Sequence, residues 1–213
     1  MSEFNMITQE DTNNIEIFTS IYENNIWGEN SSKDNSYIGT SGDGSTKEYN
    51  KEYIPFIKSF IKKNSIKKVV DLGSGDWQSS YLIYNDISVN YIGYDAYKKV
   101  CDNNNNNYPH YKFINLDIIK NKNLLENADL CIIKDVLQHL CNKDIEELLT
   151  YIIENKKYKY IIIVNCCRQF YDNQDITNGD WRQLSVKYKP LKNYNPTILG
   201  HYNTKEVSLI DCR

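Results

Sequence analysis

From Lys67 onward the chain alternates short apolar runs with longer amphipathic segments, and this alternation restricts the fold more than any other feature. KKVVDL (67–72), VNYIGYD (89–95), YKFINLD (111–117), ADLCIIKD (128–135) and YKYIIIVNC (158–166) have the length and the β-branched and aromatic content of strands. Helices fit near 77–86, near 97–106 and at 142–156, where Ile145, Leu148, Leu149, Ile152 and Ile153 fall on one stripe. Apolar strands separated by helices predict a parallel sheet covered on both faces, because right-handed crossovers must pass over the sheet. The tail TILGHYNTKEVSLIDCR (197–213) reads instead as two strands joined by a tight turn at Asn203 and Thr204, so the α/β sheet should end in an antiparallel hairpin.

A length of 213 residues suits one domain with a substantial core. Residues 1–66 are expected to form an N-terminal helical and glycine-loop cap, and 67–213 the core. The first 46 residues are polar and contain Trp27, followed by the irregular loop SYIGTSGDGST (Ser36 to Thr46). Tyr49, Tyr53, Phe56, Ile57, Phe60 and Ile61 then recur with helical spacing, with Ser45 or Thr46 as the cap and Pro55 bending the helix or marking its true start. The segment 171–196 is long and polar for a simple connection, which favours a functional loop at the active site.

Net charge is -3, from 25 basic and 28 acidic residues, which lacks the basic balance of a phosphate-backbone binder and makes nucleic acid an unlikely first partner. No apolar run approaches the roughly 18 to 20 residues that span a bilayer, and the N-terminus lacks a signal-like stretch, so a cytoplasmic protein is expected. The six cysteines form no C-x-x-C pair and read as buried thiols, with no metal site. The 18 tyrosines and the tract Asn103 to Asn107 are compositional outliers, consistent with an AT-rich coding sequence.

The stretch VVDLGSGDWQSSYL (69–82) carries the first chemical signal. Gly73 and Gly75 occupy the first two positions of a dinucleotide fingerprint, but Gln78 stands where the third glycine belongs. Asp71 and Asp76 flank the turn and no Lys or Arg is placed to meet phosphate, so a ligand with a cationic amine is expected rather than a diphosphate. Asp95 ends the second strand about twenty residues beyond Gly75, the separation at which a carboxylate meets ribose hydroxyls. After the third strand, Asp117 is placed to meet an adenine amino group, with Ile118 or Ile119 against the ring. Amine, ribose and adenine without phosphate describe S-adenosylmethionine.

VVDLGSGDW, YIGYDAY, NLDII and ADLCIIKDVLQHL resemble the successive motifs of class I S-adenosylmethionine-dependent methyltransferases over roughly Lys67 to Cys167. The resemblance implies a Rossmann-like three-layer sandwich, with strand order 3-2-1-4-5-7-6 and the seventh strand antiparallel. It implies cofactor contacts at Asp71, Gly73, Ser74, Gly75, Trp77, Asp95, Ala96, Asp117, Ile118, Lys134 and Asp135. Many relatives carry Cys where this chain has Ser74, a small-for-small change. The chain is similar to a subgroup of small bacterial and viral-type enzymes, often near sugar-modification genes, with an N-terminal Trp, a small-residue glycine loop and a later Gly-x-x-Arg element. Trp27, Ser41 to Ser45, and Gly179-Asp180-Trp181-Arg182 match these.

KDVLQHL begins where the fourth strand leaves the sheet, at the edge where open α/β sheets bind ligands. If a helix follows, Asp135 and His139 share a face. An alcohol is a poor nucleophile until its proton is drawn away, so His139 is the first choice of general base, with Asp135 orienting it or taking that role. The alternative is that His139 caps the helix or packs beneath the cofactor. Trp181 offers a platform for a sugar or base, and Arg182 a donor to an anionic group. The expectation is an enzyme that moves a methyl group to an oxygen of a small polar acceptor, most plausibly a carbohydrate. Methylation of RNA or protein, and a non-catalytic cofactor-binding protein, are the alternatives.

Overall fold

A computed structural model describes residues 13–30, 37–168 and 172–213. Residues 1–12 and 31–36 of the expected cap, Ser36 of its loop among them, and Tyr171 at the start of the expected active-site loop lie outside the described residues. The strands are β1 (Lys68–Leu72), β2 (Asn90–Asp95), β3 (Lys112–Asn115), β4 (Ala128–Lys134), β5 (Tyr158–Cys166), β6 (Thr197–Tyr202) and β7 (Lys205–Asp211). The helices are α1 (Asn14–Glu23), α2 (Tyr53–Lys63), α3 (Tyr81–Tyr84), α4 (Lys98–Asn107) and α5 (Asn142–Glu154). All seven strands form one sheet in the order β3-β2-β1-β4-β5-β7-β6. The first five run parallel, and β7 lies antiparallel between β5 and β6.

Side chains alternate across the strands and divide the core in two. Val70, Leu72, Cys131, Ile133 and Ile163 face α5, whose Ile145, Leu148, Leu149 and Ile152 are fully buried. Val69, Leu130, Ile132 and Ile162 face the opposite way, toward Ile57 and Ile61 of α2 and Val100 of α4. Each fully buried aliphatic side chain contributes about 1.5 to 3 kcal/mol, so these two layers set the order of the sheet. Much of the tyrosine excess belongs to the second layer, where Tyr84, Tyr91, Tyr108 and Tyr111 surround Trp77.

Three local expectations change, and the choice left open at Pro55 is decided. The helix near 77–86 shrinks to the single turn of α3, because Trp77 takes a left-handed φ of 59° that drives its ring into that aromatic layer. Pro55 marks a start rather than a bend: it is the third residue of α2, in the first turn, where its missing N–H costs nothing. Neither Ser45 nor Thr46 caps that helix, although Thr46 Oγ1 accepts from Tyr49 N at 3.3 Å in the turns before it. Of the cysteines, Cys101 and Cys131 are buried and the other four half-buried, all as free thiols. The strand order, the antiparallel β7 and the turn at Asn203 agree with expectation. Among the described residues no helix is long and apolar enough to cross a membrane.

Candidate active site

The sheet order reverses between β1 and β4, and a crevice opens there at the carboxyl ends of the strands. The turn after β1 shapes its floor. Gly73 and Ser74 both donate their N–H groups to Tyr94 O, at 2.8 and 3.0 Å, folding the turn across the end of β2. Gly73 (φ 77°) and Gly75 (φ 56°) are left-handed, and a Cβ on either would stand 2.2 Å from Val136 Cγ2 or 2.5 Å from Ser41 Oγ. Only glycine passes through so narrow a gap in that conformation. Gly75 N donates to Asp95 Oδ2 at 2.8 Å, and Gly75 O accepts from Asn104 Nδ2 at 2.8 Å. Asn104 is fully buried, so one residue of the asparagine tract braces the turn.

Four carboxylates line this side: Asp71, Asp76, Asp95 and Asp117. Burial pushes Asp71 up to about 6, against the hydrogen bond from Tyr91 OH (2.8 Å). It pushes Asp95 up to about 6 as well, against the N–H groups of Tyr97 and Gly75. Each Asp95 oxygen accepts a backbone N–H, and the residue lines the crevice. Burial also raises Asp76, whose Oδ2 accepts from Ser41 N and Gln78 Nε2. Asp117 Oδ1 accepts from Ile119 N (2.9 Å), Lys120 N (3.1 Å) and Asn14 Nδ2 (3.3 Å). Asp117 Oδ2 and Asp76 Oδ1 are buried with no partner among the described residues, as are the hydroxyls of Ser74, Tyr53 and Tyr84.

The β4 side has the opposite character. Asp135 (φ 60°) sits between two ammonium groups: Lys134 Nζ lies 2.7 Å from its Oδ2, and Lys205 Nζ bonds its Oδ1. Burial alone would raise its pKa, but Lys134 and Lys205 hold it below the ordinary carboxylate value. Its oxygens are engaged, which corrects the expectation that Asp135 orients His139 or serves as base. Lys134 Nζ also donates to Gly44 O at 2.7 Å, and Lys205 Nζ lies 2.9 Å from Cys166 Sγ.

His139 follows on a 3-10 turn, Leu137–His139, so the helix on which it would share a face with Asp135 does not form. Its Nδ1 lies 2.9 Å from Asp180 O, and a carbonyl only accepts, so Nδ1 carries the proton and Nε2 the lone pair. Burial lowers its pKa below the ordinary imidazole value and keeps the ring neutral. Gln138, whose Oε1 accepts from Cys166 N at 2.8 Å, donates a long hydrogen bond from its Nε2 to that lone pair at 3.4 Å, and the Trp27 ring lies 4.9 Å from the imidazole.

The cap closes over both sides. Ser41 Oγ accepts from Asp76 N (2.8 Å) and pairs with Tyr22 OH (2.6 Å), while Tyr22 stacks on Tyr97 at 4.5 Å. Every position expected to hold a cofactor lines this one crevice, together with His139. Trp77 borders it, although its ring mainly packs against the neighbouring tyrosines. Of the residues expected to meet an acceptor, His139 lines the crevice, while Trp181 and Arg182 are elsewhere. Trp181 is 54% exposed at the surface. Arg182 is buried and donates to Gln174 O (2.6 Å) and Leu140 O (2.8 Å), so its guanidinium fastens the loop instead of facing a ligand. Ser41, Tyr22, Asn14, Asn104 and Lys205 were not expected. Only Ser41, inside the matched glycine loop, carried a sequence signal.

No family model and no curated protein sequence matches the chain. Solved structures do. The methyltransferase domain of bacterial CtHen1 aligns with a TM-score of 0.60 at 14% identity, over 76% of this chain and 99% of that one. Magnesium protoporphyrin IX methyltransferase (ChlM) from Synechocystis PCC 6803, solved with bound SAM, aligns with 0.60 at 11% identity, over 95% and 98%. PigF, solved with SAH, aligns with 0.60 at 11% identity, over 77% and 56%. The chain has a methyltransferase fold. Within that fold the acidic turn, the neutral His139 and the paired lysines all stand at the carboxyl edge of the sheet.

Proposed function

We propose that the chain is an S-adenosylmethionine-dependent methyltransferase that methylates an oxygen of a small polar acceptor, with His139 as general base. The observation that carries this reading is the sign of the crevice. Asp71, Asp76, Asp95 and Asp117 surround the glycine turn, while Lys134 already faces Gly44 O and Asp135. A pyrophosphate needs donors there, whereas a sulfonium nucleoside bearing an ammonium group needs acceptors. The unpartnered atoms fit the same ligand. Asp117 Oδ2 would accept from an adenine amino group beside Ile118, Asp95 from ribose hydroxyls, and Tyr53 and Tyr84 are buried donors near Asp71. The structural neighbours solved with SAM and SAH support it too.

When bound, S-adenosylmethionine supplies a methyl group on a positively charged sulfur. The chain's own residues do the rest: the carboxylates hold and orient the cation, the Ser41 strap excludes water, and His139 Nε2 takes the acceptor proton as the oxygen attacks. A carbohydrate acceptor is one instance of this chemistry, although neither Trp181 nor Arg182 stands where it would support one. Labelled S-adenosylmethionine offered with nucleotide-sugars, other small alcohols, RNA and proteins tests the reading. Label entering a small hydroxyl compound supports it. Label entering only RNA or protein replaces the acceptor class, and cofactor binding with no transfer anywhere points to a non-catalytic protein.

A further inference from the structure

The expected adenine corner and the imidazole are joined by hydrogen bonds through Asn14 to Asn178 and from there along the backbone of 178–180, none of these residues being expected from the sequence to hold ligand. Asn14, on the first turn of α1, is 4% exposed and donates to Asp117 Oδ1 at 3.3 Å. Its own Oδ1 accepts from Asn178 Nδ2 at 2.8 Å. Asn178 is held on both sides, since its Nδ2 also reaches Asp144 Oδ2 at 2.5 Å and its Oδ1 accepts from Cys141 N at 2.7 Å. The next two residues grip the histidine: Gly179 N donates to His139 O, and Asp180 O accepts from His139 Nδ1, both at 2.9 Å. One asparagine therefore touches the acidic corner of the crevice and the loop that fixes the imidazole.

We propose that Asn14 and Asn178 are positioning residues that couple occupancy of the Asp117 corner to the orientation of His139. The inference rests on the methyltransferase reading and adds a route by which a nucleoside at one end prepares the base at the other. Asp117 has one oxygen engaged by Asn14 and the other without a partner. A ligand amine bonded to that second oxygen fixes the carboxylate plane, and with it the Asn14 amide that Asn178 reads. A loop so fastened holds Asp180 O where only the tautomer protonated at Nδ1 is satisfied, and Nε2 keeps a lone pair that only the long 3.4 Å bond from Gln138 engages and that an acceptor hydroxyl can take over. Arg182, through Gln174 O and Leu140 O, anchors the far end of the same loop.

The test needs no acceptor. S-adenosylhomocysteine is titrated into the full chain labelled with 15N-histidine, and solvent exchange of the His139 Nδ1 proton is read by NMR. The exposed His110 and His201 serve as internal references. In the unaltered protein the ligand slows that exchange by about tenfold, a coupling of the usual size between linked sites. In Asn14→Ala and Asn178→Ala the ligand still binds, and the slowing falls below about twofold. Should either alanine variant melt early, Asn14→Ser keeps a polar side chain in the first turn of α1, is too short to span Asp117 and Asn178 together, and gives the same loss. Equal slowing in the variants and the parent, or none in the parent despite bound S-adenosylhomocysteine, overturns the coupling. Failure of S-adenosylhomocysteine to bind the parent overturns the methyltransferase reading and this inference with it.

Discussion

The two walls of the crevice hold the same side chain in opposite states. On the β1–β2 wall, Asp71 and Asp95 are buried beside neutral hydrogen-bond donors, and both rise to about 6. On the β4 wall, Asp135 is no less enclosed, yet Lys134 and Lys205 hold it below the ordinary value. Burial raises all three, and what differs is that two lysines touch Asp135, whereas Lys134 acts on Asp71 without an ion pair and Asp95 has no lysine beside it among the described residues. The first wall has acceptor capacity for a positive ligand that the chain itself does not supply. On the second the carboxylate is fully paired with built-in cations, which leaves His139 as the group there that can exchange a proton near neutral pH.

Removing the carboxylate from the lysine-paired wall should have the largest effect. Asp135→Asn leaves two ammonium groups facing each other with little solvent, and breaking a buried ion pair costs about 3 to 5 kcal/mol. Chemical denaturation should report that loss at neutral pH; a change below about 1 kcal/mol would mean the lysines find other partners. His139→Ala should lower turnover by about 100-fold with a much smaller effect on cofactor affinity, since the proton acceptor is lost together with the donor to Asp180 O but none of the carboxylates is touched. An unchanged rate constant would assign catalysis to proximity alone. Asp95→Ala, on the uncompensated wall, removes charged hydrogen bonds and should weaken S-adenosylhomocysteine binding by about 1.5 to 3 kcal/mol, measured by calorimetry. It also frees Gly75 N and Tyr97 N, so a folded-state control by thermal melting belongs with it.

The difference between the walls also marks what could be read from sequence. Asp71, Asp95 and Asp117 stand at or just beyond the ends of consecutive strands, and strands announce themselves through runs such as VVDL and YIGYD. Asp135 was as visible, but its state depends on Lys205, seventy residues later and across β5, and no local pattern reports that pairing. The partner of His139 is silent for another reason: a backbone carbonyl, Asp180 O, has no side-chain signature. Arg182 misled because its donors looked free, whereas the fold turned them onto carbonyls of its own and the neighbouring segment. α1 was given no boundaries because only Asn14, Ile21 and Tyr22 are buried on it, too few to make an apolar stripe.

The smallest expected effect sharpens the comparison most, because it opposes function to stability at one residue. Asp71 is raised to about 6 when folded and returns to the ordinary carboxylate range when unfolded. Between those values the folded chain binds more protons than the unfolded one, so its stability falls as pH rises through that window. Asp71→Asn removes this penalty while Tyr91 OH can still donate to the amide oxygen. The ligand-free variant should therefore be more stable than the parent by on the order of 2 kcal/mol at pH 7, and nearly equal to it below about pH 4. The same variant should bind S-adenosylhomocysteine more weakly, since a neutral amide holds an ammonium group less well than a carboxylate. A stability gain identical at both pH values would show that Asp71 is not the group titrating. A gain with undiminished affinity would move the ammonium site to Asp76, the other carboxylate flanking the turn.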